Sequence, residues 1–233
     1  MNVEILSERL FESLINGDRE SARNTIREAE KSGMTPDRVL SELFWPTYEM
    51  IDRLFRSDQL TTLAHHMGTR LLRVLVDQQA QKLQRKAPTG RNVLAFCGEK
   101  ESDELGAQMA MDLLESAGYQ VSFAGGGIAG DEILAAVQEQ RPEALVMFAS
   151  GPSDLPMIRQ LIDTIREIGA CASTQIVVGG GVFNRADGLA EEIGADLWAS
   201  DPIELVNVMT ENPTQRAAAN QRTVGRKRQL KAA

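Results

Sequence analysis

The chain has 233 residues, 42% of them hydrophobic, and a formal net charge of −8, which is apolar content enough for one large domain or two small ones with their own cores. No run approaches the roughly 18 uninterrupted apolar residues of a membrane span, and the N-terminus lacks the apolar core of a signal peptide. The two cysteines, Cys97 and Cys171, lie far apart without CxxC spacing, which fits a reducing interior and argues against a disulfide framework; the expectation is a cytoplasmic protein with no membrane partner.

Residues 3–84 contain no convincing strand. Leu6, Leu10, Leu14 and Ile15 recur at helical spacing, and Asn16-Gly17 ends that helix. Asp18 can cap a second helix, running to Gly33 through Ala22, Ile26 and Ala29. Thr35-Pro36 is an N-cap followed by proline at the first helical position, and Val39, Leu40, Leu43 and Phe44 form the apolar stripe behind it. Pro46 is expected to break or kink this third helix, leaving 46–55 as a separate one. A long helix over 61–84 completes a bundle assigned to residues 1–85.

A linker follows at 86–91, and the pattern changes after it. Short apolar runs at 93–97, 121–123, 144–149, 175–178 and, more weakly, 196–199 alternate with helical stretches at 103–117, 131–140, 155–168 and 185–193. Strands alternating with helices predict an α/β domain over 92–211, a five-stranded doubly wound parallel sheet of Rossmann-like or flavodoxin-like type. Ligands of such sheets bind beyond the carboxyl ends of the strands, so the loops 98–102, 124–130, 150–154 and 179–184 carry the candidate site. Gly125-Gly126-Gly127 and Gly179-Gly180-Gly181 either make tight turns or let a ligand approach the backbone. Trp45 and Trp198 fit the apolar pattern of their elements and are expected in the core.

After Glu211 no acid remains, while six cations follow, so the body without them carries −14. A body this acidic disfavours nonspecific nucleic-acid binding, and only the segment 212–233, expected to be a disordered basic tail, could meet phosphates. No helix-turn-helix, catalytic triad, P-loop, dinucleotide fingerprint or His/Cys cluster is evident. Catalysis by the chain alone is not expected.

The order of these motifs resembles the cobalamin-binding proteins, which join a helical bundle to a five-stranded α/β domain; the likeness spans about residues 35–210. Glu101-Ser102-Asp103-Glu104-Leu105-Gly106 lines up with the family's D-x-H-x-x-G, Gly106 is kept, and Asp103 stands where the family has its cobalt-ligating histidine. The family's S-x-L is matched by position at Ser150 and by letters at Ser153-Asp154-Leu155, and its glycine pair by Gly179-Gly180-Gly181. In the bundle, Phe55, nine residues, then His65 and His66 occupy the spacing of the W-x9-E-H motif of cobalamin photoreceptor repressors.

The resemblance implies a corrinoid or other tetrapyrrole between bundle and sheet. Phe55 and His65 or His66 would meet one face of it, with His66 the candidate metal ligand. Glu101, Asp103, Gly106, Ser150, Ser153 and the 179–181 loop would meet the other. Carboxylate is a poorer donor than imidazole for this metal, so Asp103 is read instead as a cap on the free N–H groups of its helix. A regulatory or sensory module that binds cobalamin without the lower histidine, and signals to a protein partner, is the leading expectation. Two alternatives stay open: a protein-interaction domain with no cofactor, and a methyl-carrying corrinoid protein of a methyltransferase system.

Overall fold

The computed structural model describes residues 2–169 and 171–217. Helix α1 (Val3–Ile15) is capped by Asn2, whose side chain accepts from the Glu4 amide at 3.0 Å, and it stops at Gly17, which takes φ +68°. Helix α2 (Arg19–Lys31) is capped by Asp18, and α3 (Pro36–Arg38) starts at Thr35-Pro36. Pro46 does not break the chain there. Residues Val39–Phe44 widen into a π-helical turn that runs straight into α4 (Trp45–Arg56), with Pro46 in the first turn of the new register. A proline that cannot donate is tolerated at such a position. Helix α5 (Thr62–Ala80) ends earlier than the expected 84.

The linker lies along the next domain: Lys86 N–H donates to Ser116 O and Thr89 N–H to Gly118 O, both at 2.8 Å. Strands β1 (Asn92–Cys97), β2 (Gln120–Phe123), β3 (Ala144–Phe148), β4 (Gln175–Gly179) and β5 (Leu197–Ala199) form one parallel sheet in the order β2-β1-β3-β4-β5. Between them run α6 (Glu101–Ser116), α7 (Gly130–Gln140), α8 (Leu155–Ile168), α9 (Gly181–Asn184) and α10 (Leu189–Ile193), followed by α11 (Pro202–Glu211). β1, β3 and β4 read as continuous apolar runs because helices cover both faces.

Leu94, Leu145, Ile176 and Val178 face α7, α8 and α10, while Val93, Val146 and Val177 face α6 and α11. The bundle has no sealed core of its own. Leu105, Met109 and Leu113 of α6 join Leu10, Leu40, Phe44 and Leu72 in one cluster, so bundle and sheet domain are packed through α6.

Three further expectations are corrected. The helix expected over 185–193 is shortened to α10, because Gly188 takes φ +77° just before it, and the separate short α9 precedes the stretch at 181–184. α11 was not foreseen, although Asp201 caps it by accepting from the Ile203 and Glu204 amides at 2.9 and 2.8 Å, with Pro202 in its first turn. Trp198 is 38% exposed rather than core, since β5 is an edge strand that buries only alternate residues. The expected basic tail lies outside the described residues beyond Ala217. No helix among the described residues is long and apolar enough to cross a membrane.

Candidate functional site

The carboxyl ends of β1, β3 and β4 are tied into one platform by loop hydrogen bonds. Cys97 N–H donates to Gly125 O, Gly98 N–H to Phe148 O and Ala149 N–H to Gly179 O, each at 3.0 Å. The glycines here answer to space. Gly180 takes φ +102°, and a β-carbon on it would collide with Ala149 O and stand 3.0 Å from the Ala149 carbonyl carbon. At Gly179 a β-carbon would lie 3.2 Å from the Phe148 ring. Side chains are thus excluded where the backbone turns back over the sheet edge.

Helix α4 lies across this platform and closes a cavity of about 200 Å³. Phe148, Ala149, Ser150, Gly180 and Gly181 form the sheet side, with Asp103 and Gly106 from the start of α6. Trp45, Tyr48, Asp52 and Arg56 cover it from α4, and Arg185 stands at the rim. Trp45 and Tyr48 pack in a tilted arrangement with ring centroids 5.2 Å apart and planes at 37°. Arg56 pairs with Asp52 at 2.7 Å, and the Arg185 guanidinium donates to Ser150 O. Burial, and then the nearby Asp52, raise the Tyr48 phenol well above its ordinary range, so it stays protonated.

Asp103 forms the floor. It is 4% exposed, and burial pushes it up to about 6, against the hydrogen bond from Ser150 and with the help of Asp154. The capping role expected for it is corrected: Lys100 holds the N-cap position of α6, no side chain caps that terminus, and Asp103 Oδ2 is buried without a hydrogen-bond partner.

The structure therefore brings together Asp103, Gly106, Ser150, Gly180 and Gly181, with Gly179 just behind them. Ser153 is exposed and 3.4 Å from Asp154 Oδ1, whereas Ser150, the positional match, lines the cavity. Glu101 opens α6, and its side chain is outside the described residues. Phe55, His65 and His66 are not among the residues lining the cavity. His65 is buried and stacked on Phe55 with centroids 3.9 Å apart and planes at 18°, while His66 is exposed on α5.

Among the described residues no group of three or more His, Cys, Asp or Glu could hold a metal ion. The α4 side of the cavity carries no sequence motif. Trp45, Tyr48, Asp52 and Arg56 follow a three-to-four residue spacing that puts them on one helix face, but the proline beside Trp45 drew attention to a break instead.

A family model described as a B12 binding domain matches residues 91–207, and a second of the same description matches 6–78. The chain is 21% identical over 199 residues to trimethylamine corrinoid protein 2 of Methanosarcina acetivorans, covering 84% of this chain and 91% of that one. It is 28% identical over 141 residues to a corrinoid protein of Desulfitobacterium hafniense, covering 58% of this chain and 63% of that one. The structure of the Methanosarcina barkeri monomethylamine corrinoid protein superposes with a TM-score of 0.76 at 17% identity, covering 90% of this chain and 99% of that one, which establishes a shared fold.

Proposed function

The chain belongs to the B12-binding domain family, and from that membership we propose that it holds a corrinoid between α4 and the carboxyl edge of the sheet and carries it for a methyltransferase partner. The observation that supports the site most directly is the cavity itself: it lies at the switch edge of a parallel sheet, is floored by glycine backbone and Ser150, and is roofed by the other domain. The relatives are corrinoid proteins by name, and the names that specify a role concern methylamines. This favours the carrier reading over the sensory one, which would use the same pocket.

The residues fit a corrinoid's periphery. Aromatic and small apolar groups line the space, while Ser150 and the charged groups of α4 and Arg185 stand where polar substituents could be bonded. Methyl transfer would be the chemistry of the corrinoid's cobalt. This chain's own groups would bind the ring, orient it and keep water from one face. At about 200 Å³ the cavity is smaller than the roughly 300–1,000 Å³ of pockets that enclose drug-sized ligands, so admitting a corrinoid requires α4 to move off the platform.

Purified protein incubated with hydroxo-, methyl- and adenosylcobalamin, then gel-filtered, tests the reading by its absorption spectrum. Coloured protein in at least one form supports it. Colourless protein with all three refutes it and leaves the interaction domain without cofactor. Transfer of the methyl group from the loaded protein to a corrinoid methyltransferase separates carrier from sensor.

A further inference from the structure

The chain has two histidines in all. His65 is packed against Phe55, His66 is exposed, and neither lines the cavity. The nitrogens that do line it belong to guanidinium, amide and indole groups, which are not metal ligands. No cysteine or methionine lines it either.

What the sheet side offers instead is the Asp103 carboxyl, with Asp154 packed behind it near Gly98. Asp103 Oδ2 and Asp154 Oδ2 are both buried without hydrogen-bond partners. They converge on Gly98, where a β-carbon would collide with the first and lie 2.8 Å from the second. Burial pushes the Asp103 carboxyl up to about 6, with the nearby Asp154 adding to the rise. A carboxyl is a poor donor to a metal that prefers imidazole nitrogen.

We infer that this chain supplies no nitrogen ligand to the cobalt of its corrinoid: on the sheet side the cavity presents the Asp103 carboxyl, and a nitrogen donor would have to come from the corrinoid's own nucleotide base. The inference rests on the corrinoid reading above. It makes the Asp103 carboxyl a positioning group, held against Ser150, rather than a coordinating one.

Electron paramagnetic resonance of the Co(II) complexes tests it. Protein at natural abundance and protein uniformly labelled with 15N are each loaded with cob(II)alamin and with cob(II)inamide, which lacks the nucleotide base, and retention through gel filtration is checked first. A nitrogen ligand splits the cobalt lines into triplets for 14N and doublets for 15N. The expected result is identical spectra from labelled and unlabelled protein, with no nitrogen splitting in the cobinamide complex.

A splitting that changes from triplet to doublet when the protein is labelled, in either complex, overturns the inference while leaving corrinoid binding intact. Failure to retain either corrinoid overturns the binding reading and the inference with it. Asp103→His, which places an imidazole at the floor, provides the label-sensitive pattern for comparison. The wild-type spectra decide the question even if that variant does not fold.

Discussion

The Tyr48 hydroxyl of α4 stands 2.9 Å from the point that a β-carbon on Gly106 of α6 would occupy. The absence of a side chain at Gly106 is what lets the bundle settle on the sheet domain at the mouth of the cavity. Gly106→Ala should push Tyr48 outward and cost about 1–3 kcal/mol, as overpacking does. Tyr48→Phe, which removes the nearest atom, should recover part of that loss. Urea midpoints of the two single variants and the double variant form the test, and strictly additive effects would show that the two residues do not meet.

Gly180→Ala should be costlier. The position combines φ +102° with a collision against the Ala149 backbone, so neither a rotamer change nor a side-chain shift relieves it. A loss of at least about 2 kcal/mol is expected, together with loss of corrinoid retention at concentrations where the parent is saturated. A variant as stable as the parent would place that loop differently.

Two buried acids set the pH dependence. Burial pushes Asp103 up to about 6 from 3.8, and Asp112 to about 7 from 3.8, the latter helped by Asp77 and Glu115. In the folded state each keeps a proton that the unfolded chain releases near pH 4. Their contribution to stability is therefore complete below that pH and is lost as pH rises through about 6 to 7. Asp103→Asn combined with Asp112→Asn should flatten the fall across this window and leave the variant more stable than the parent at about pH 8. A variant with the parent's slope would falsify the assignment.

Asp196 anchors the opposite end of the sheet. Its side chain is fully buried, accepts from both Arg166, at 2.6 and 2.7 Å, and the Ile176 and Ala217 amides, each at 2.7 Å. Asp196→Ala leaves the guanidinium and those amides without an acceptor and should cost about 3–5 kcal/mol. Thermal melts of the variant measure it. A change below about 1 kcal/mol would mean that water replaces the carboxylate freely.

Cys97 and Cys171 are 7% and 6% exposed, and burial pushes the Cys97 thiol up to about 12. Neither should react with a thiol reagent in the folded protein at about pH 8, and both should react on unfolding, because the thiolate is the nucleophile. Fast labelling of the native protein would show that the sheet edge opens without global unfolding.

The alternation of short apolar runs with helical stretches made the parallel sheet readable, since strands buried on both faces must be apolar throughout. The glycine loops were readable because positive φ and close backbone approach demand glycine locally. Boundaries failed where local signals competed. Pro46 suggests a break, but the π-turn before it absorbs the missing donor. The 185–193 stretch has helical spacing, yet Gly188 interrupts it. Trp198 looks like core until β5 turns out to be an edge.

The sequence by itself determined the element types and the order of the loops along the sheet edge, because these depend on periodicity and on backbone conformations set by neighbours in the chain, while the candidacy of Asp103, Gly106 and Ser150 came from the resemblance to the cobalamin-binding family. Only the tertiary structure decided which bundle face roofs that edge. It placed Tyr48 and Arg56 over the floor, left His65 against Phe55 and His66 in solvent, and set Asp103 beside Asp154. Tyr48 with Gly106 and Asp103 with Asp154 join residues about 50 apart in the chain, through packing of α4 on α6 and of α6 on the β3 loop, which no local pattern encodes.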